Sequence, residues 1–172
     1  MRVALWIGFS VAVLIAAVVL IGWLLPRDHV ATRMGRYRQK PEAIWEAITN
    51  VEAMPGWREG LKSVQKLPER NGLPAHVEVT TSGTIPMETV ETESPRKLVS
   101  RIAGEKLPFG GTWTFEIAPT EEGATLRITE RGWISNPFFR FMSRFVFGQT
   151  SQMEAYLRSL AKKFGEPARI EE

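Results

Sequence analysis

From Val3 to Leu25 the chain runs 23 residues without a charge, and only Gly8, Ser10 and Gly22 interrupt the apolar side chains. A helix apolar on every side has little place in a small soluble fold. At 1.5 Å per residue this run makes a helix of roughly 34 Å, enough to cross a hydrocarbon core of about 30 Å. Trp6 and Trp23 stand near its two ends, where indole rings favour the headgroup region. Pro26 and Arg27 then stop it. A cleaved signal peptide would carry a shorter apolar core, roughly 7–15 residues, and a small-x-small cleavage site. The exit Leu24-Leu25-Pro26-Arg27-Asp28 offers no such site. Residues 1–27 are therefore expected to be a retained single-pass anchor. Arg27, Arg33, Arg36, Arg38 and Lys40 outnumber Arg2 across the span, which favours a cytoplasmic globular domain. The short basic N-tail also suits the opposite orientation.

The anchor explains a misleading average. The 172-residue chain is 44% hydrophobic, but 20 of the 23 residues in the run are apolar, which leaves about 38% for the remainder. That is ordinary for a soluble domain. The remainder is poor in catalytic groups. It has no Cys, two His (His29 and His76) and a single Asp, Asp28. Zinc sites, EF-hand loops and Ser-His-Asp triads all need residues this inventory lacks, and no cofactor is expected. The formal charge of +3 carries no nucleic-acid footprint.

Val30 to Gln39 reads as a first strand. Lys40-Pro41-Glu42 opens a helix with Ile44, Trp45 and Ile48 on its apolar stripe. Pro55-Gly56 marks a turn, and a short second helical turn fits nearby. Six short runs follow, at 61–67, 75–82, 85–92, 98–103, 112–118 and 124–134, each ended by turn residues. That pattern describes an antiparallel meander. Asn136-Pro137 then opens a long helix to about Phe164, with Gly148 as a possible bend. The tail, 166–172, is expected to fray.

This order resembles the helix-grip fold of the START/Bet v 1-like superfamily, and most closely its polyketide cyclase/dehydrase-like (SRPBCC) branch. Pro41-Glu42-Ala43-Ile44-Trp45 resembles that group's first-helix opening, and Met54-Pro55-Gly56-Trp57-Arg58 its turn ending in Trp. Glu93-Ser94-Pro95-Arg96-Lys97-Leu98-Val99 resembles its link between middle strands. Gly110-Gly111-Thr112-Trp113-Thr114-Phe115 and Leu126-Arg127-Ile128-Thr129-Glu130 resemble its last two strands. The resemblance spans residues 28–165 and implies an α+β fold: a curved antiparallel sheet wrapped around a C-terminal helix, with an apolar cavity between them.

On that fold, alternation puts Val77, Val79, Trp113, Phe115, Leu126 and Ile128 on the inward face. Phe138, Phe141, Met142 and Phe145 are expected to face them from the long helix, as an aromatic wall or as core filling. Met87 is an adaptable wall residue. Trp57 is expected at the cavity mouth by the resemblance. Glu88, Arg101 and Glu130 are the polar candidates, for holding a ligand head or for acid/base work. His76 alternates against Val77 and Val79 and is expected in solvent. The reading is a tethered domain that binds or transfers a lipid, quinone or polyketide-like molecule. The alternatives are a cyclase/dehydratase on the same cavity and a tethered protein-interaction factor.

Overall fold

A computed structural model describes residues 2–104 and 107–172. Helix α1 covers Arg2–Leu24, and from Trp6 onward nearly all of its surface is uncovered by protein. Eight strands follow: β1 (Asp28–Tyr37), β2 (Leu61–Arg70), β3 (Leu73–Thr80), β4 (Thr84–Glu93), β5 (Lys97–Ile102), β6 (Phe109–Thr120), β7 (Gly123–Ile134) and β8 (Arg169–Glu171). Helix α2 (Pro41–Thr49) and a 3-10 turn (Val51–Gly56) sit between β1 and β2. Helix α3 (Pro137–Met142), a π-helical turn (Ser143–Phe147) and helix α4 (Ser151–Lys163) follow β7.

All strands pair antiparallel in one sheet, ordered β2-β3-β4-β5-β6-β7-β1-β8. One face packs on α2 and α4. Ile44 and Ile48 from α2, Leu126 and Ile128 from β7, and Met153, Leu157 and Leu160 from α4 are almost wholly buried together. Their spacing follows from the elements. Residues i, i+4 share a helix stripe, and i, i+2 share a strand face. Tyr37 donates its hydroxyl to the Leu157 carbonyl at 3.1 Å and ties β1 to α4. Arg33 adds a bond from Nε to Glu154 at 3.1 Å.

The expected meander is present. Two expectations at the C-terminal end change. The long helix is two helices, because Gly148 takes φ +78° and the chain turns before α4 begins. A side chain is strained in that left-handed region. Only α4 is gripped by the sheet. The tail does not fray into solvent throughout: Arg169–Glu171 pairs with Met34–Arg36, and Arg36 bonds both Glu171 oxygens at 2.6 and 3.0 Å.

Register also fixes which loops share an end. Asp28 lies opposite Trp133, Phe109 opposite Ile134, Ile85 opposite Glu78, and Leu61 opposite Thr80. The α1–β1 junction, the β3–β4 turn, the β5–β6 link and the β7–α3 link therefore lie at one end of the sheet.

Candidate ligand cavity

Between α4, the 3-10 turn and the inner sheet face lies a cavity of about 940 Å³. Its apolar wall includes Ile85, Met87, Leu98, Ile102, Trp113 and Phe115 from the strands. From α4 come Gln152, Ala155 and Tyr156. The cavity reaches the end of the sheet that carries α1, at Thr81, Ser82 and Phe109, and the opposite end, at Glu69, Pro74 and Thr92.

Strand alternation places these groups, but with the opposite phase in β3 to the one expected. His76 and Glu78 point into the cavity and are buried. Val77 and Val79 are half-buried on the other side and do not line it. The reason is pairing. A buried carboxylate is tolerated only when a cation offsets its desolvation, and Arg58, just after the Trp57 turn, reaches Glu78 at 2.5 Å. His76 Nε2 lies 3.6 Å from the same oxygen. Burial alone would push the Glu78 carboxyl up; His76 and Arg58 together hold it below the usual carboxylate range.

Tyr156 is the hub of an aromatic cluster. Its ring meets Trp57 edge-on at 5.4 Å, Phe115 at 5.6 Å and Trp113 at 6.3 Å. The Arg58 guanidinium lies over the same ring at 5.1 Å, within cation–π range. Burial pushes the Tyr156 phenol up, so the hydroxyl stays a donor near neutral pH. That hydroxyl and the neighbouring Trp57 Nε1 are both buried without a partner among the described residues. Buried donors are rarely left so in a filled core.

Glu130 is the second polar point. It lines the cavity from β7, with His29 Nε2 3.6 Å away. Burial pushes its carboxyl up, and His29 and the Trp113 side chain only partly offset this. Among the described residues, no three His, Asp or Glu side chains gather as a metal site.

Of the residues singled out from sequence, Met87, Trp113, Phe115 and Glu130 meet in the cavity. Leu126 and Ile128 face inward but lie deeper, fully enclosed in the core beneath it. Trp57 stands behind Tyr156 rather than on the cavity wall. Glu88 and Arg101 pair as expected, Nε to Oε1 at 2.7 Å, but on the outer face beside Arg70. The Arg101 bond holds the Glu88 carboxyl below its ordinary range. Their phase is set by Met87, Thr89 and Ser100, which take the inward positions. Phe138, Phe141, Met142 and Phe145 lie outside the cavity, because the turn at Gly148 leaves them on α3, which packs against α1, and on the π turn that follows. Sequence reading missed Arg58, Glu78 and Tyr156. An Arg just past a turn and an alternating His-x-Glu pair were the available signals.

Residues 38–165 match the family model described as "Polyketide cyclase / dehydrase and lipid transport". No curated protein matches the sequence significantly. Solved structures share the fold at low identity. A START superfamily protein from Mycobacterium smegmatis superposes with a TM-score of 0.61 at 14% identity, over 80% of this chain and 97% of that one. A protein from Thermobifida fusca gives 0.60 at 16%, over 81% and 94%. The di-domain ARO/CYC StfQ of the steffimycin biosynthetic pathway gives 0.57 at 15%, over 81% and 52%. With more than half its length in the family match and the helix-grip arrangement in place, the chain belongs to the polyketide cyclase/dehydrase and lipid transport family.

Proposed function

We propose that this chain is a membrane-tethered binding or transfer domain for an apolar small molecule with one polar end. The observation that carries the reading is the cavity itself: about 940 Å³, walled mainly by apolar side chains, with a buried Tyr156 hydroxyl, unpartnered among the described residues, beside the Arg58–Glu78–His76 group. Pockets for small ligands combine an apolar wall with a few placed polar groups in this way. Lipids, quinones and polyketide-like molecules all have that character. Helix α1 holds the cavity beside a bilayer, where such ligands are concentrated, so capture becomes a local event. The excess of Lys and Arg after α1 supports a cytoplasmic domain. The unit at 28–165 is the binding domain, and 1–27 its anchor.

A cyclase- or dehydratase-type activity is the second reading. Glu130 favours it, as a cavity carboxyl whose burial keeps its proton longer than usual. Glu88 and Arg101 give it no support, since they sit outside the cavity.

The test is uptake by the full chain in detergent micelles. Fluorescent phospholipid and quinone analogues should bind at about one per chain, and organic extraction of purified protein should release an apolar molecule. No uptake of either analogue, with nothing extracted, would overturn the binding reading.

A further inference from the structure

We infer that α3 and the following π turn form a lip embedded in the bilayer surface beside one end of the cavity. The inference rests on the proposal that α1 spans a membrane. The fold leaves an apolar surface on α3 and the π turn uncovered. Phe139, Phe145, Val146 and Phe147 are 50%, 59%, 57% and 62% exposed, with Phe138 against Phe139 at 5.7 Å. Single exposed apolar residues are common, but a contiguous set marks a partner surface.

What covers this surface follows from how it is held. At Gly22, in the last turns of α1, an added Cβ would stand 1.9 Å from the Pro137 carbonyl oxygen. Only glycine allows that approach, and it locks the first turn of α3 to the end of the anchor. Arg140 fastens the same joint: its Nη1 donates to the Leu25 carbonyl at 2.7 Å and its Nη2 to the Ser135 carbonyl at 3.3 Å. The Leu25 carbonyl is one that α1 itself leaves unpaired, and the cation complements the negative end of that helix. Depth is thereby set. The start of α3 lies level with Trp23, an exposed indole placed where the membrane interface meets the anchor. The apolar surface of α1 and that of the π turn share one bilayer. Arg144 lies among the aromatic residues, exposed, as an interfacial cation among phosphates requires.

The lip is also joined to the cavity. The segment passes through Gly148 into the first turns of α4, where Gln152 and Ala155 line the wall. The register places the β7–α3 link at the same sheet end as Ser82 and Phe109, where one end of the cavity lies. An apolar molecule leaving the bilayer here crosses aromatic side chains rather than water.

Site-directed spin labelling tests this directly, because the chain has no Cys and each variant carries one thiol. Full-length Phe145→Cys, Val146→Cys and Phe147→Cys are labelled with a nitroxide and reconstituted in vesicles of phosphatidylcholine and phosphatidylglycerol. Leu14→Cys in α1 reads the anchor, and Glu121→Cys in the distal β6–β7 turn reads water. The lip labels should collide with a water-soluble nickel chelate at least roughly threefold less than the Glu121 label, and with oxygen more, as at interfacial depth. Three neighbouring sites keep the test standing if one variant misfolds. Lip labels that behave like Glu121 while Leu14 reads deep would overturn the lip and leave the anchor intact. A water-like Leu14 label would overturn both.

Discussion

Glu78 and Glu130 line the same cavity and titrate in opposite senses. The folded state lowers Glu78, so its contribution to stability is complete above the ordinary carboxylate range and is lost as pH falls through the folded-state value. It raises Glu130, so charging that group costs stability at neutral pH, and the cost disappears on acidification. Glu78→Gln should therefore lower stability at pH 7 by about 2 kcal/mol, because Arg58 is left half-enclosed without its anion. The gap should close toward pH 3. Glu130→Gln should be neutral or mildly stabilising at pH 7. Denaturant unfolding of both variants across that range checks the pair, and equal losses would contradict the assignment. Tyr156→Phe should leave stability unchanged or raise it by about 1 kcal/mol, since no protein bond is lost. It should weaken ligand binding by about tenfold, one charge-free hydrogen bond's worth. Only part of this was legible in the residues. The alternation His76-Val77-Glu78-Val79 reveals a strand with two unlike faces. Which face turns inward depends on Arg58, some twenty positions earlier, and no local pattern carries that.

Among the elements, α3 and α4 show where periodicity stops informing. Apolar residues recur at spacings of three, four and seven from Phe138 to Phe164, as one continuous core helix would require. The same spacing serves a helix whose apolar face lies outside the core, and here only the second half is buried on the sheet. Gly148 was visible as a weak point; that the chain would turn there and leave the aromatic half beside α1 was not. Seven of the eight strands, by contrast, were legible to within about three residues, because Gly, Pro or Asn punctuates the runs; β8, in the tail expected to fray, was not. Two alanine variants test the split. Leu157→Ala, fully enclosed in α4, should cost about 2–5 kcal/mol by the cavity it leaves. Phe139→Ala, half exposed on α3, should change unfolding of the detergent-solubilised chain by no more than about 0.5 kcal/mol. A loss of about 3–5 kcal/mol there, the cost of a core Phe, would place that helix in the core.

For the whole molecule, the proposed anchor gives the cavity an address and the sheet gives it a shape. The chain crosses from α1 into β1 at a sheet end that the cavity reaches, so α1 and that end of the cavity are neighbours through the register of one sheet. Catalytic equipment is scarce, and the buried volume is kept open by residues on both sides of it. Ser100 on β5 and Ala155 on α4 are small where the wall faces inward. Replacing both, as Ser100→Trp with Ala155→Phe, fills space without touching Tyr156, Glu78 or Arg58. The most direct measurement is native mass spectrometry of the full-length chain released from lipid nanodiscs, compared with that double variant. One apolar molecule should be retained by the unmodified chain and absent from the filled variant. Bare protein mass for both, or equal retention by both, would contradict a ligand held between the sheet and α4.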